Sequence, residues 1–148
     1  MTRVTLSPPA ALWRPDMSET LKDKKVLLVD DDADILTSMQ AAFEPTGAQI
    51  ETAGNGNKAV ELAEKNQPDL VVLDMMLPGR SGFLVLEKIK AKKPRNAKPY
   101  VIMITGNQGA RHKMYAESLG VSEYLNKPVK MDKLISTAER LLAPAPTA

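Results

Sequence analysis

Hydrophobic positions along the chain alternate between two kinds of run. Lys25-Val-Leu-Leu-Val-Asp30, Asp69-Leu-Val-Val-Leu-Asp74 and Tyr100-Val-Ile-Met-Ile-Thr105 are short, continuously apolar and β-branched, as buried strands are. Ala48 to Ala53 and Val121 to Leu125 predict two further, shorter strands. Between them, Ile35, Leu36, Met39, Ala42 and Phe43 recur at helical spacing, and Pro45 and Gly47 stop that helix. A second helix is expected near Lys58–Asn66, entered through Gly54-Asn-Gly56 and closed by Pro68. Phe83, Leu84, Leu86 and Ile89 stripe a third, and Ala110–Leu119 forms a weakly amphipathic fourth, closed by Gly120. Met131, Leu134, Ile135, Ala138, Leu141 and Leu142 stripe the last.

Five strand–helix units therefore fill residues 25–142. Strands without a polar face belong to a sheet covered on both sides, hence parallel, with right-handed crossovers. The expected fold class is α/β, a doubly wound five-stranded parallel sheet of strand order 2-1-3-4-5. The flanks lack this periodicity. Residues 1–22 carry Pro8, Pro9, Pro15 and Trp13 and read as a mobile leader, with Met17 an alternative start; residues 143–148 read as a tail. The folded domain is expected over 23–142, and with six residues after Leu142 no output domain is expected.

Composition narrows the chemistry. The 148 residues hold no cysteine, which excludes disulfides, thiolate metal sites and a Cys nucleophile, and one histidine, which argues against a His-rich metal site or a conventional Ser-His-Asp triad. No apolar run has the length of a membrane span or a signal peptide, so no membrane insertion is expected and the cytoplasm is the expected location. Six aromatic residues imply an aliphatic core. Net charge is +2, which gives no reason to expect direct nucleic-acid binding. Residues 80–98 nevertheless carry seven basic side chains against one acid, Glu87. This segment reads as a solvated helix C-terminus whose cations complement the dipole, with docking of an acidic partner as the alternative. His112, between Arg111 and Lys113, reads as a plain exposed side chain.

In doubly wound sheets ligands bind beyond the carboxyl ends of the strands, where strand order reverses. For this order the reversal lies between strands one and three, and both end in aspartate: Asp30, Asp31 and Asp32 after the first, Asp74 after the third. Thr105 and Lys127 follow strands four and five. Clustered carboxylates repel unless a hard cation sits among them, and an all-oxygen donor set suits Mg2+. A carboxylate beside Mg2+ can act as nucleophile toward phosphorus, with a lysine and a hydroxyl meeting the phosphoryl oxygens.

Val29-Asp30-Asp31-Asp32, Leu73-Asp74-Met75-Met76-Leu77-Pro78-Gly79, Ile104-Thr105-Gly106 and Tyr124-Leu125-Asn126-Lys127-Pro128 resemble the receiver domain of bacterial two-component response regulators, of the stand-alone kind, over about residues 24–142. The resemblance implies the flavodoxin-like (βα)5 fold and a signalling phosphoacceptor rather than an enzyme. It makes Asp74 the phosphoacceptor, assigns Mg2+ to Asp30, Asp31, Asp74 and the backbone carbonyl of Met76, and gives the phosphoryl contacts to Thr105 and Lys127. Thr105 and Tyr124 become the switch pair, and Pro128 the proline after a cis bond. Implied partners are a sensor histidine kinase or histidine phosphotransfer protein, and a downstream protein on the helix 4–strand 5–helix 5 face of a monomer or weak homodimer. Gly106 stands where a small residue, often alanine, is usual. The apolar Met76 predicts slow self-dephosphorylation, with Asn107 a second tuner.

Two other readings compete. Asp30-Asp31-Asp32 fits the Asp-x-Asp signature of haloacid-dehalogenase-type phosphatases, with Asp30 as nucleophile and Asp32 as acid/base, but leaves Asp74 without a role. A phosphate-independent scaffold has no need of clustered, mutually repelling carboxylates.

Overall fold

The computed structural model describes residues 19–142 apart from Gly79, Arg95, Asn107 and Gln108. Trp13, Met17, Asn107, the tail and the first eighteen residues of the expected leader lie outside the described residues.

Five strands and five helices alternate: β1 (Lys25–Val29), α1 (Ala33–Phe43), β2 (Gln49–Ala53), α2 (Gly56–Asn66), β3 (Leu70–Asp74), α3 (Gly82–Ile89), β4 (Tyr100–Thr105), α4 (Ala110–Ser118), β5 (Glu123–Asn126) and α5 (Met131–Leu142). All strands are parallel, in the order β2-β1-β3-β4-β5, as expected. The alternation of Cβ directions along the three central strands divides the core in two. Leu27, Val29, Val71, Leu73, Val101 and Met103 face α2, α3 and α4. Val26, Leu28, Leu70, Val72, Ile102 and Ile104 face α1 and α5, where Met39, Phe43, Leu134, Ala138 and Leu142 meet them. Because the edge strands β2 and β5 are only partly covered, their Gln49, Glu51 and Asn126 reach solvent.

Polar side chains start the helices. Asp32 accepts from the amides of Asp34 (2.9 Å) and Ile35 (3.3 Å), Asn55 from Lys58 (2.8 Å), and Ser81 from Leu84 (3.3 Å). Asn55 accordingly starts α2 at Gly56, two residues before the expected Lys58. Pro45 lies in a 3-10 turn after α1, which Gly47 ends with a φ of 81°.

Four expectations are corrected. The leader does not extend to residue 22, for Leu21 is buried in the α1–α5 half of the core and its amide donates to the Thr46 carbonyl at 2.9 Å. Burying a leucine contributes about 2 kcal/mol, enough to hold the segment down. β5 begins at Glu123 rather than Val121, because the Val121 amide closes the end of α4 on the Ala116 carbonyl. In α3 the buried stripe is Val85, Leu86 and Ile89, and Leu84 faces outward. His112 is not a plain exposed side chain: it is half-buried, its ring stacked on Phe83 at 6.0 Å between centroids.

Candidate functional site

The strand order places the ends of β1 and β3 side by side, and each delivers a buried carboxylate. Asp30 follows β1 directly and its amide extends the β1–β2 ladder to the Ala53 carbonyl (3.1 Å). Its Oδ1 accepts from the Asp32 amide at 2.9 Å, which turns the chain outward. Asp74 is the last residue of β3, and its Oδ1 accepts from the Met76 amide at 3.1 Å. Asp30, Asp31 and Asp74 each bring a carboxylate oxygen to within 4.8 Å of the others. Asp30 and Asp74 are buried, whereas Asp31 faces solvent.

Such a triad is costly by itself. Burial pushes the Asp30 carboxyl above its usual range; the Asp32 amide opposes the shift, and the negative charge of Asp74 adds to it. Lys127 supplies the compensating charge, its Nζ 3.3 Å from Asp74 Oδ2. The donor set is three carboxylates without nitrogen or sulfur, which fits a small hard cation of the Mg2+ kind.

Thr105 ends β4 at the same edge and is fully buried. Its hydroxyl donates to Met75 Sδ at 3.4 Å, and its carbonyl accepts from the Lys127 amide at 2.7 Å, fixing the start of the lysine loop. The Lys127–Pro128 peptide is cis. Tyr124 on β5 is half-buried and packs on the core half that holds α4. Gly106 has no heavy atom within 4 Å of where a Cβ would lie, so an alanine there meets no neighbour. Asp32 stands outside the carboxylate triad, exposed, with its side chain committed to capping α1. The acid/base role a phosphatase would require of it is thereby disfavoured.

Gly82, the first residue of α3, is a further determinant of the site. A Cβ there would lie 2.5 Å from the carbonyl oxygen of Asp74 and 2.7 Å from Met75 Cα, both backbone atoms. The Gly82 amide also donates to the Met75 carbonyl at 2.9 Å. The loop carrying the aspartate closes on α3 only because this position lacks a side chain. No local pattern announces that approach; only the fold brings Gly82 back onto Asp74.

Beside the triad, an apolar cleft of about 430 Å3 opens between α1 and the β5–α5 connection, lined by Ile35, Met39, Ile104, Pro128, Val129 and Met131, with Asp30 and Lys127 at its polar end. No helix among the described residues is long and apolar enough to cross a membrane.

A doubly wound parallel sheet with a basic side chain over a carboxylate cluster at its switch point places the chain in the class of flavodoxin-like α/β domains. The chain belongs to the response regulator receiver domain family of two-component signalling, whose family model matches residues 26–139. It is 32% identical over 119 residues to the protein PilH of Pseudomonas aeruginosa, covering 80% of this chain and 98% of that protein. It is 35% identical over 106 residues to the alkaline phosphatase synthesis transcriptional regulatory protein PhoP of Bacillus subtilis, covering 72% of this chain but 43% of that one. Among solved structures it resembles a CheY-like receiver domain from Methanospirillum hungatei (TM-score 0.74, 29% identity, 81% of this chain and 94% of that one). It also resembles a Francisella response regulator receiver domain (TM-score 0.72, 31% identity, 80% and 96%).

Proposed function

We propose that the chain is a phosphoacceptor switch, phosphorylated on Asp74 by a histidine kinase or histidine phosphotransfer protein, that signals through protein contact. The observation that carries this reading is the meeting of Asp30, Asp31 and Asp74 oxygens within 4.8 Å, with Lys127 Nζ 3.3 Å from Asp74. An Asp74 carboxylate oxygen attacks phosphorus, a new P–O bond forms, and the donor's bond to phosphorus breaks with its electron pair leaving on the donor. Asp30, Asp31, Asp74 and the Met76 carbonyl would hold Mg2+, which would neutralise the carboxylates and the incoming phosphoryl oxygens. Lys127 neutralises a phosphoryl oxygen, and the Thr105 hydroxyl exchanges its Met75 sulfur contact for another. Tyr124 follows Thr105, so that phosphorylation shifts a two-state equilibrium on the α4–β5–α5 face. The apolar cleft beside Asp30 suits a helix of the phosphodonor, which must present its phosphohistidine to the same edge of the sheet. The domain proposed to do this runs from about residue 19 to 142, and its place of action is the cytoplasm, where such donors reside.

Intact-mass spectrometry after incubation with Mg2+ and a small acyl phosphate tests the proposal. One phosphoryl group gained by the wild type and not by Asp74→Asn is expected. Phosphate release that survives Asp74→Asn but not Asp30→Asn points instead to a phosphatase, and no adduct with any donor points to a scaffold.

A further inference from the structure

Four large apolar side chains stand exposed among the described residues, and all lie on the β3–α3 loop, α3 or α4. Met76 is in the β3–α3 loop (69% exposed), Leu84 on α3 (52%), and Met114 (68%) and Tyr115 (49%) on α4. β5 and α5 contribute none. The two helices are bridged by rings: Phe83 of α3 stacks on His112 and meets Tyr115 edge-on at 5.0 Å. The apolar pattern of α4 is more than its core contact requires, because Ala116 is the residue it buries while Met114 and Tyr115 point away from the sheet.

Cations rim this surface. Leu84 lies in a shallow depression of about 440 Å3 lined also by Arg80, Glu87, Lys88 and Ala91. Arg111 and Lys113 flank Met114 on α4, both exposed, and Glu87 and Glu117 are the acids nearby in sequence. Lys88 makes an exposed contact of 3.8 Å to Glu64. Exposed apolar side chains in a mainly basic surround mark a recognition surface, with the excess of Arg80, Lys88, Arg111 and Lys113 over Glu87 and Glu117 selecting a partner of opposite sign. An apolar centre with protruding methionine and leucine gives a phosphodiester backbone nothing to pair with, and suits an acidic amphipathic segment that inserts side chains of its own.

We propose that the α3–α4 surface, centred on Leu84, Met114 and Tyr115, docks an acidic amphipathic segment of a partner protein, separately from the α4–β5–α5 face. The proposal rests on the signalling reading above in taking the partner to be a protein, but not on Asp74 chemistry.

The test is a titration of the full, isotopically labelled chain with a helical peptide bearing Leu and Phe at i, i+3, i+4 and i+7 and Glu or Asp elsewhere. Controls are the same peptide with Lys for each acid, and oligothymidylate. Acidic-peptide binding is expected to shift the amides of Leu84, Met114 and Tyr115, to weaken with salt, and to fall about tenfold in Leu84→Asp/Met114→Asp. Arg111→Glu is expected to weaken it severalfold. Equal binding of the lysine peptide, preference for oligothymidylate, shifts confined to α5, or self-association through Leu84 and Tyr115 without peptide would each overturn the proposal. Acyl-phosphate labelling separates the two readings: a wild type that gains a phosphoryl group normally yet shows no peptide contact strikes down the surface alone, and a wild type that binds the peptide but gains no phosphoryl group strikes the phosphoacceptor alone.

Discussion

Lys127 Nζ stands 3.3 Å from Asp74 Oδ2, although β4 lies between β3, which ends at Asp74, and β5, which ends one residue before Lys127. Asp74 is buried and the lysine side chain one-third exposed, so the ammonium spans from the carboxylate cluster to solvent. Its position rests on the Lys127 amide donating to the Thr105 carbonyl at 2.7 Å.

Lys127→Met removes the one cation paired with this cluster among the described residues. Acyl-phosphate labelling of Asp74 is expected to slow by about a hundredfold, the scale of losing one preorganised charge partner. The folded state is expected to lose about 1 kcal/mol in urea denaturation, a figure kept small by the partial exposure of the lysine. Labelling at the wild-type rate would remove Lys127 from the chemistry.

Asp30→Asn is expected to act on stability in the opposite direction. Burial and the neighbouring negative charge of Asp74 disfavour the Asp30 carboxylate, so neutralising it relieves a cost. Without divalent cations the variant is expected to be more stable than the wild type by on the order of 1 kcal/mol. Added Mg2+ should stabilise the wild type and leave the variant nearly unchanged, because only the wild type keeps the full set of carboxylates. Thermal melts with and without Mg2+ check both signs, and equal stabilisation of the two proteins would remove Asp30 from the cation site.

Much of this site is legible in the chain because its residues sit at strand ends. Asp30, Asp74, Thr105 and Lys127 each close an apolar run, and the parallel order of such runs puts their ends on one edge. Features that depend on a second segment are not legible in this way. Leu21 looks like leader until Thr46 and the α1–α5 core meet it. Leu84 and Val85 are interchangeable in an apolar stripe, and only the angle at which α3 meets the sheet turns Val85 inward. His112 is polar in sequence but lies against Phe83, a contact between two helices more than twenty residues apart.

Gly82→Ala carries the same lesson into a prediction. The added methyl would overlap the Asp74 carbonyl oxygen and Met75 Cα, and neither can rotate away. The loop must shift, which is expected to cost about 1–3 kcal/mol and to slow Asp74 labelling. Gly54→Ala is the control, with no heavy atom within 4 Å of the new Cβ. Denaturation and labelling of the two variants side by side should separate crowding from a general intolerance of alanine in loops.

The opposite edge of the sheet carries a pH-dependent tie. Asp69 Oδ2 accepts from the Lys25 amide at 2.8 Å and Oδ1 meets Lys98 Nζ at 2.7 Å, joining the starts of β1 and β3 to the α3–β4 connection. Burial alone would raise the Asp69 carboxyl, but these two donors outweigh it and hold the group below its usual range. A depressed carboxyl contributes stability that is present above its unfolded pKa, about 3.9, and is lost as pH falls through the lower folded value. The wild type is therefore expected to exceed Asp69→Asn by about 1 kcal/mol at neutral pH, with the gap closing in strong acid. The bond to Asp69 also raises the Lys98 ammonium, so the gap should narrow again in strong alkali as that proton is lost. A gap that is constant with pH would refute the ionic part of the tie.

Met76 bears on how long the phosphorylated state lasts. Its amide binds Asp74 Oδ1 at 3.1 Å and its side chain projects into solvent, 69% exposed. The backbone thus fixes the carboxylate, and the exposed side chain, two residues from the proposed phosphoacceptor, is a candidate to contact a hydrolytic water. A thioether neither donates a hydrogen bond nor accepts one strongly, so it cannot hold that water in line. Met76→Asn keeps the backbone contact and adds both a donor and an acceptor at the same exposed position. The aspartyl phosphate is expected to decay severalfold faster in the variant, with Mg2+ affinity and the rate of labelling little changed. Following the adduct by intact mass after donor removal measures this directly, and an unchanged lifetime would place control of hydrolysis elsewhere in the site.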